Sequence, residues 1–341
     1  MKGVAPLTIK DIARLSGYGV STVSRALNNH PDISAEAREK IRAIAQQYSF
    51  TPNTNARQLK SSGSKSVVII VKGTFNVFFS ALVEKLQTQI DRMGCEVLVH
   101  YLDTKENEVQ LAKRLYNEIK PLGIIFLGGS IKNFEQDFDL TIPCVLSTTS
   151  AMGTEFRNLS SVSVDDTDAG KQAVEHLLKN GHKSIGIIGG DITTYCATQQ
   201  RFQGAVKAMS DKGIAFDNSC YEYSRFTLNS AYEAAKKLLD RKKNITALFA
   251  MSDTMAIGAC KAITDMGLNV PDDISVIGFD GIDMAAFYNP EITTFKQPVA
   301  EIAEETAELL KNMLENGAEA RHILMKAEII EGKSVNNINN I

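Results

Sequence analysis

The sequence predicts an α/β protein with an all-helical N-terminal head followed by two lobes, each built on a doubly wound parallel sheet. Three observations predict this fold class. Residues 8–27 have the pattern of two short amphipathic helices separated by a glycine-containing turn. Residues 67–71 form a continuous apolar run, which is typical of a parallel strand covered on both faces. From there to residue 280, strand-like and helix-like stretches alternate, and the series occurs twice.

Length and composition place the chain among globular proteins. Its 341 residues are enough for two or three domains with sizeable cores. Residues 1–7 contain no apolar run, and no stretch approaches the roughly 18 apolar residues of a membrane span, so we expect a cytoplasmic protein without membrane association. The five cysteines are scattered without a C-x-x-C pair and the five histidines are unclustered, so we expect neither a disulfide framework nor a metal site.

Charge is unevenly distributed along the chain. Residues 1–65 contain 10 Lys and Arg against 4 Asp and Glu, which leaves 27 basic against 36 acidic residues in the remainder. A basic head on an acidic body fits a head that binds nucleic acid, because phosphates attract the head and repel the body.

The helix pair is the first element in chain order. Thr8 can cap the first helix, residues 16–19 end it, and residues 20–27 form the second helix. One face of the second helix is polar or basic and carries no acid; its members are Ser21, Thr22, Ser24, Arg25 and Asn28. Such a face suits contact with phosphates and base edges, although an ordinary helical hairpin is the alternative. A third helix is expected over residues 35–48, with Ala37, Ile41, Ile44 and Ala45 facing inwards.

Four short motifs carry a resemblance to a known family. They are T-I-K-D-I-A from residue 8, T-V-S-R from residue 22, T-P-N from residue 51 and A-R-Q-L from residue 56. In this order they resemble the helix-turn-helix and hinge of the lac/gal repressor (LacI/GalR) family of bacterial transcription regulators. The resemblance implies a DNA-binding domain over residues 1–50 and a hinge helix with its linker over residues 51–65.

The resemblance also implies which residues contact DNA. Those in the head are Thr8, Val20, Ser21, Thr22, Ser24, Arg25 and Asn28, and those in the hinge are Asn53, Ala56, Arg57 and Leu59. The family's hinge helix forms on DNA and inserts a leucine between base steps in the minor groove, and Leu59 stands at the matching position. The alternative is that Leu59 begins the packing of the next domain.

Strands and helices then follow one another to residue 280. Strands are expected at residues 67–71, 97–99, 124–127, 144–146, 185–188, 247–250 and 276–279. Helices are expected at residues 82–93, 109–119, 170–178, 201–209, 231–239 and 256–266. Residues 293–297 are expected to cross back to the first lobe, residues 299–316 to form a long helix there, and residues 323–330 to form a last strand.

This order predicts the domain boundaries. A two-lobed effector-binding and dimerisation domain covers residues 66–331, and residues 332–341 form a tail. Lobe one takes about residues 66–161 and 297–322, and lobe two about residues 162–292 and 323–331. Two open α/β lobes place the carboxyl ends of their strands at a common cleft, where ligands bind. The layout resembles the family's effector domain, which is itself similar to periplasmic sugar-binding proteins.

Candidate ligand contacts are strand-end residues that match the family's effector pocket. They are Phe78, Asp165, Arg201, Phe226, Ser252, Asp253, Asp280 and Gln297. An aromatic ring can stack on a sugar, an Arg can bond a hydroxyl or carboxylate, and an Asp can accept two vicinal hydroxyls. Some of these residues have structural alternatives: Asp253 can instead cap the following helix, and Phe78 and Phe226 can belong to the core.

The sequence therefore predicts a transcription regulator, a repressor, whose operator affinity is set by a small molecule, for which we expect a sugar. The resemblance implies a homodimer on a near-palindromic duplex. The alternatives are a purine, a nucleoside or a partner protein as effector, and a sugar-processing enzyme. No acid–nucleophile carboxylate pair and no G-x-G-x-x-G motif is apparent, which argues against a glycosidase and a dinucleotide enzyme, and we expect no cofactor.

Overall fold

A computed structural model describes residues 9–27, 32–47, 65–73 and 76–339. The chain divides into two compact units, Met1–Ser64 and Lys65–Ile341. No helix within the described ranges is long and apolar enough to cross a membrane.

The N-terminal unit contains three described helices. They are α1 (Ile9–Ser16), α2 (Val20–Leu27) and α3 (Ala35–Gln47). Small and branched apolar side chains from all three form a thin core, whose buried members are Ile12, Ala13, Val23, Ala26 and Ile41. Ala37 and Ala45 are also buried and Ile44 is partly buried, as expected for the inward face of α3.

Lobe one is a six-stranded parallel sheet with helices on both faces. Its strands are β1 (Ser66–Lys72), β2 (Glu96–Leu102), β3 (Gly123–Leu127), β4 (Cys144–Ser147), β5 (Leu159–Val164) and β11 (His322–Met325). Its helices are α4 (Val77–Arg92), α5 (Glu108–Ile119), α6 (Ile131–Asp137) and α12 (Val299–Asn316). The strand order is β11-β5-β4-β3-β1-β2, so the order reverses between β3 and β1.

Lobe two repeats this architecture. Its strands are β6 (Ile185–Gly189), β7 (Tyr221–Tyr223), β8 (Ala247–Ala250), β9 (Ser275–Asp280), β10 (Thr293–Lys296) and β12 (Glu328–Ile330). Its helices are α7 (Asp166–Lys179), α8 (Ala197–Asp211), α9 (Leu228–Arg241), α10 (Asp253–Asp265) and α11 (Asp283–Phe287). The order is β12-β10-β9-β8-β6-β7, and β12 alone pairs antiparallel.

The structure corrects three of the predicted lobe assignments. The expected strand over residues 323–330 is two strands, because β11 pairs with β5 in lobe one and β12 pairs with β10 in lobe two. The boundary predicted after residue 161 falls inside β5, which is continuous and belongs to lobe one. Residues 293–296 do not cross between lobes, because they form β10 beside β9.

Two glycines allow α7 and α8 to pack with their backbones in contact. A Cβ atom on Gly170 would lie 2.2 Å from the carbonyl oxygen of Arg201, and one on Gly204 would lie 1.9 Å from that of Thr167. Only glycine permits such an approach, since real Cβ contacts are longer than 3 Å. The start of α7, with Asp166, is thereby held against the first turns of α8, with Arg201.

Candidate ligand-binding cleft and DNA-contacting surface

A cleft opens between the two lobes at the carboxyl ends of their strands. Lobe one lines it with Lys72, Gly73, Asn76, Phe78, Phe79, Thr104, Gly128, Gly129, Ser130, Thr148 and Thr149. Lobe two lines it with Asp191, Thr194, Cys196, Ala197, Thr198, Arg201, Phe226 and Asp280, and Gln297 follows β10. The strand orders reverse between β1 and β3 and between β6 and β8, and the cleft lies beside both reversals, where open α/β sheets bind ligands.

Arg201 is fixed in the cleft by three contacts. Its Nε donates to Asp166 Oδ1 at 2.7 Å, and its Nη1 donates to the carbonyl oxygen of Met251 at 2.9 Å. Its Cζ lies 3.6 Å from the centroid of the Phe279 ring, so the guanidinium also makes a cation–π contact. Arg201 is 5% exposed and still lines the cleft, so its remaining N–H donors can serve a ligand.

The structure corrects the choice of carboxylate at the start of α7. Asp165 is exposed, caps the helix by accepting from the backbone N–H of Asp168, and does not line the cleft. The next residue, Asp166, is 1% exposed and pairs with Arg201. Burial raises the pKa of Asp166 to about 6, against the opposing effect of the Arg201 guanidinium.

Asp280 ends β9 inside the cleft in a strained conformation. Its backbone φ is +106°, a value that residues other than glycine seldom adopt. Such backbone strain is found where a fold holds a functional group in place. Gln297 Nε2 donates to Asp280 Oδ1 at 2.8 Å. Burial raises the pKa of Asp280 to about 7, while the charge of Arg201 and the bond from Gln297 act in the opposite direction.

Ser252 and Asp253 do not line the cleft, which differs from the sequence prediction. Ser252 is the N-cap of α10 and accepts from the backbone N–H of Met255 at 3.2 Å. Asp253 is fully buried and accepts from Thr294 Oγ1 at 2.5 Å and from the backbone N–H of Ile282 at 2.8 Å. It therefore braces the segment after β9 against β10, and the cap alternative for Asp253 is wrong as well.

Aromatic rings form walls on both sides of the cleft. Phe78 is 3% exposed and belongs to the core of lobe one, although it also lines the cleft. Phe226, from the segment after β7, is partly buried and lines the cleft from lobe two. Phe79 also lines the cleft. The sequence analysis missed it because only Phe78 was chosen from the two adjacent phenylalanines.

Sequence reasoning also missed a buried charge network in lobe one. Lys72, which ends β1, donates to Glu108 Oε2 at 2.5 Å. Glu108 is fully buried and also accepts from the backbone N–H of Ser130 at 2.7 Å and from Asn133 Nδ2 at 2.9 Å. Lys72 was detectable from the sequence, because it is a charged residue at the end of an apolar strand, as Asp280 is.

On the face of α2 that is predicted to contact DNA, Val20 is 43% exposed, Arg25 is exposed and Thr22 is half-buried. Ser21 and Ser24 lie on the same helix, but their side chains are outside the described part of the chain. Six other predicted DNA contacts lie outside the described residues and stay predictions: Thr8, Asn28, Asn53, Ala56, Arg57 and Leu59.

Two family profiles match the chain. Residues 8–53 match bacterial regulatory proteins of the lacI family, and residues 174–335 match a periplasmic binding protein-like domain. The first profile covers the helical head, and the second covers most of lobe two together with α12 and β11 of lobe one.

Known proteins are similar over nearly the whole chain. The transcriptional regulator MalR of Clostridium butyricum is 37% identical, and the match covers 97% of this chain and 100% of MalR. The transcriptional regulator DegA of Bacillus subtilis is 32% identical over 87% of this chain and 88% of its own length. The solved complex of the transcriptional regulator CelR with cellobiose superimposes with a TM-score of 0.71 at 23% identity, covering 96% of this chain and 99% of CelR.

These relatives are transcription regulators rather than enzymes, which agrees with the sequence prediction. The identity to MalR extends over both units, so it covers the DNA-binding head and the two lobes together. The chain therefore belongs to the LacI family of bacterial regulatory proteins and is a DNA-binding transcriptional repressor.

Proposed function

We propose that this repressor is controlled by a sugar that binds in the cleft between the lobes and changes its affinity for operator DNA. The observation that carries the proposal is the buried cluster of Asp166, Arg201, Asp280 and Gln297, of which the last three line the cleft. Buried charged groups need partners, and a ligand of matching polarity supplies them.

The chemistry of the cluster fits hydroxyl groups. Each sugar hydroxyl can donate one hydrogen bond and accept others, so it can donate to Asp280 and accept from Arg201. Gln297 Oε1 is buried and has no hydrogen-bond partner among the described residues, so it offers a further acceptor. An anionic ligand fits less well, because the one guanidinium already faces two carboxyl groups.

Among the described residues, an ion pair and a backbone hydrogen bond link the two lobes. Arg225 Nη2 of lobe two donates to Asp103 Oδ2 of lobe one at 2.6 Å, and the backbone N–H of Ile131 donates to the carbonyl oxygen of Tyr195 at 3.3 Å. A ligand that touches both lobes would stabilise an arrangement in which they are close together. We infer that closure of the lobes around the ligand shifts them within a cytoplasmic homodimer and so changes its affinity for a near-palindromic operator.

A thermal-shift screen of the full chain against sugars, purine bases and nucleosides tests the proposed effector class. A sugar present at about 100 times its Kd is expected to stabilise the protein by about 2.7 kcal/mol, and calorimetry should then give one site per subunit. If a purine or a nucleoside stabilises the protein and no sugar does, the effector is a purine or nucleoside and the proposed sugar is wrong.

Sugar affinity is expected to depend on pH through Asp280. Its pKa is about 7 in the free cleft, and hydrogen bonds donated by the sugar favour the ionised form. Binding therefore releases a proton at pH 6, and affinity should fall by about tenfold between pH 8 and pH 6. Calorimetry across this range checks it, with Asp280→Asn as the variant that should show no such fall. Equal wild-type affinity at both pH values contradicts the assignment.

Operator affinity is expected to fall steeply with salt, because the basic head neutralises phosphates. The slope of log K against log[salt] should be about −0.9 per phosphate contacted. Arg25→Ala, on the exposed face of α2, should reduce this slope by about one per subunit. Arg92→Ala, at the end of α4, is the matched control and should leave the slope unchanged. A flat salt dependence of the wild type excludes phosphate contacts as the source of affinity.

A further inference from the structure

A second, outer pocket adjoins the cleft. The two pockets are neighbours, because they share six lining residues: Lys72, Thr104, Ser130, Asp191, Thr194 and Phe226. The inner pocket contains Arg201, Asp280 and Gln297, whereas the outer pocket is lined by side chains such as Asn133, Tyr223 and Arg225. A ligand held by the inner cluster can therefore extend into the outer pocket without leaving the protein.

Carboxylates accompany the cations that line the outer pocket. Lys72 is paired with the buried Glu108, and Arg225 is paired with Asp103 at 2.6 Å. Lys105 is exposed next to the exposed Glu106. Because Lys72 and Arg225 are already paired and the carboxylates of Glu106 and Asp191 also line the pocket, it suits a neutral polar group better than a phosphate.

One polar atom at the junction of the two pockets lacks a partner. Ser130 is 8% exposed, lines both pockets, and its Oγ has no hydrogen-bond partner in the described part of the chain. Its backbone N–H donates to Glu108 Oε1, and this hydrogen bond fixes the residue in place. A buried hydroxyl without a partner is costly, so it points to a ligand atom that completes it.

The outer pocket also offers an aromatic surface. Tyr223, on the edge strand β7, is 49% exposed, and Phe226 lines both pockets. Aromatic rings can pack against the apolar C–H face of a sugar ring. Asn133 donates its amide Nδ2 to Glu108, which fixes the orientation of an amide whose oxygen can accept a hydroxyl proton.

We propose that the cleft binds a neutral glycan of at least two sugar rings, with one ring on the Arg201–Asp280 cluster and the next in the outer pocket. Ser130 Oγ bonds the glycan where the two pockets meet, and Tyr223 and Phe226 contact the outer ring. This inference rests on the proposed function, since it extends the same sugar site.

Calorimetry on the full chain compares single sugars with their disaccharides. The probes are glucose, galactose, mannose, fructose and xylose, with maltose, cellobiose, lactose, mannobiose, sucrose and xylobiose. At least one disaccharide is expected to bind at least about tenfold more tightly than either of its component sugars. If a single sugar binds as tightly as every disaccharide containing it, the second subsite is wrong while the proposed function stands. If none of these sugars binds, both are wrong.

Variants in the outer pocket locate the second ring. Tyr223→Ala is expected to weaken the disaccharide by about tenfold and to leave the single sugar unchanged. Ser130→Ala removes only the unpartnered hydroxyl and should weaken the disaccharide without lowering thermal stability. Tyr101→Ala is the matched control, because Tyr101 is 53% exposed and does not line either pocket. Equal disaccharide affinity in all three variants overturns the inference, as does tighter binding of glucose 6-phosphate than of glucose.

Discussion

Asp280→Asn is expected to lower sugar affinity by about 10- to 100-fold at pH 8, where the wild-type carboxyl is ionised. A hydrogen bond to a charged group contributes about 1.5–3 kcal/mol, and 1.4 kcal/mol is a factor of ten in affinity. Asn has nearly the same shape, keeps an oxygen that can accept from Gln297 Nε2, and tolerates the positive φ at this position. The fold should therefore be preserved, and calorimetry measures the loss.

Asp165→Asn is the matched control for this experiment. Asp165 is an exposed carboxylate at the N-cap position of α7, where Asn is an equally good helix cap. Its sugar affinity should equal that of the wild type. If Asp280→Asn binds sugar as the wild type does, or if both variants lose affinity equally, Asp280 is not the residue that holds the ligand.

Gly204→Ala is expected to destabilise the protein by about 3 kcal/mol, at the upper end of the range for overpacking. The added Cβ would lie 1.9 Å from the carbonyl oxygen of Thr167, which is backbone and cannot rotate away. The helices α7 and α8 must then separate, and Arg201 moves relative to Asp166. We therefore expect a lower free energy of unfolding in denaturant titrations together with weaker sugar binding.

The control for this variant lies just after the end of the same helix. Gly213 has φ +71° and a Cβ there would meet nothing within 4 Å, so Gly213→Ala adds only backbone strain of about 1–2 kcal/mol. Sugar affinity should be unchanged in Gly213→Ala and reduced in Gly204→Ala. Wild-type stability and affinity in Gly204→Ala would mean that α7 and α8 do not approach as closely as described.

Much of the fold could be predicted from the sequence, because apolar runs and helical periodicity repeat with few interruptions. The strand ends could also be located, and Phe78, Arg201, Phe226, Asp280 and Gln297 do line one cleft. What periodicity does not show is the partner of a strand. Residues 323–330 look like one strand, but they are β11 and β12, which belong to different sheets.

The sequence also did not show which individual polar side chains are buried. Asp165 and Asp166 are adjacent, but the first caps the helix while the second is buried against Arg201, 35 residues further along the chain. Likewise, Asp253 follows a strand as Asp280 does, but it is braced by Thr294 and Ile282 away from the cleft. Such differences depend on contacts between residues distant in the chain, which one sequence does not reveal.

The most direct test of sugar control is the affinity for DNA with and without sugar. A duplex selected by the full chain from random sequences is labelled, and its binding is followed by fluorescence anisotropy with the tightest sugar from the screen. Saturating sugar is expected to change the wild-type affinity for DNA by at least about fivefold, and DNA should change the sugar affinity by the same factor. Asp280→Asn should bind the duplex normally and show no such change at the same sugar concentration. An unchanged wild-type affinity for DNA when the cleft is saturated would contradict control by the sugar.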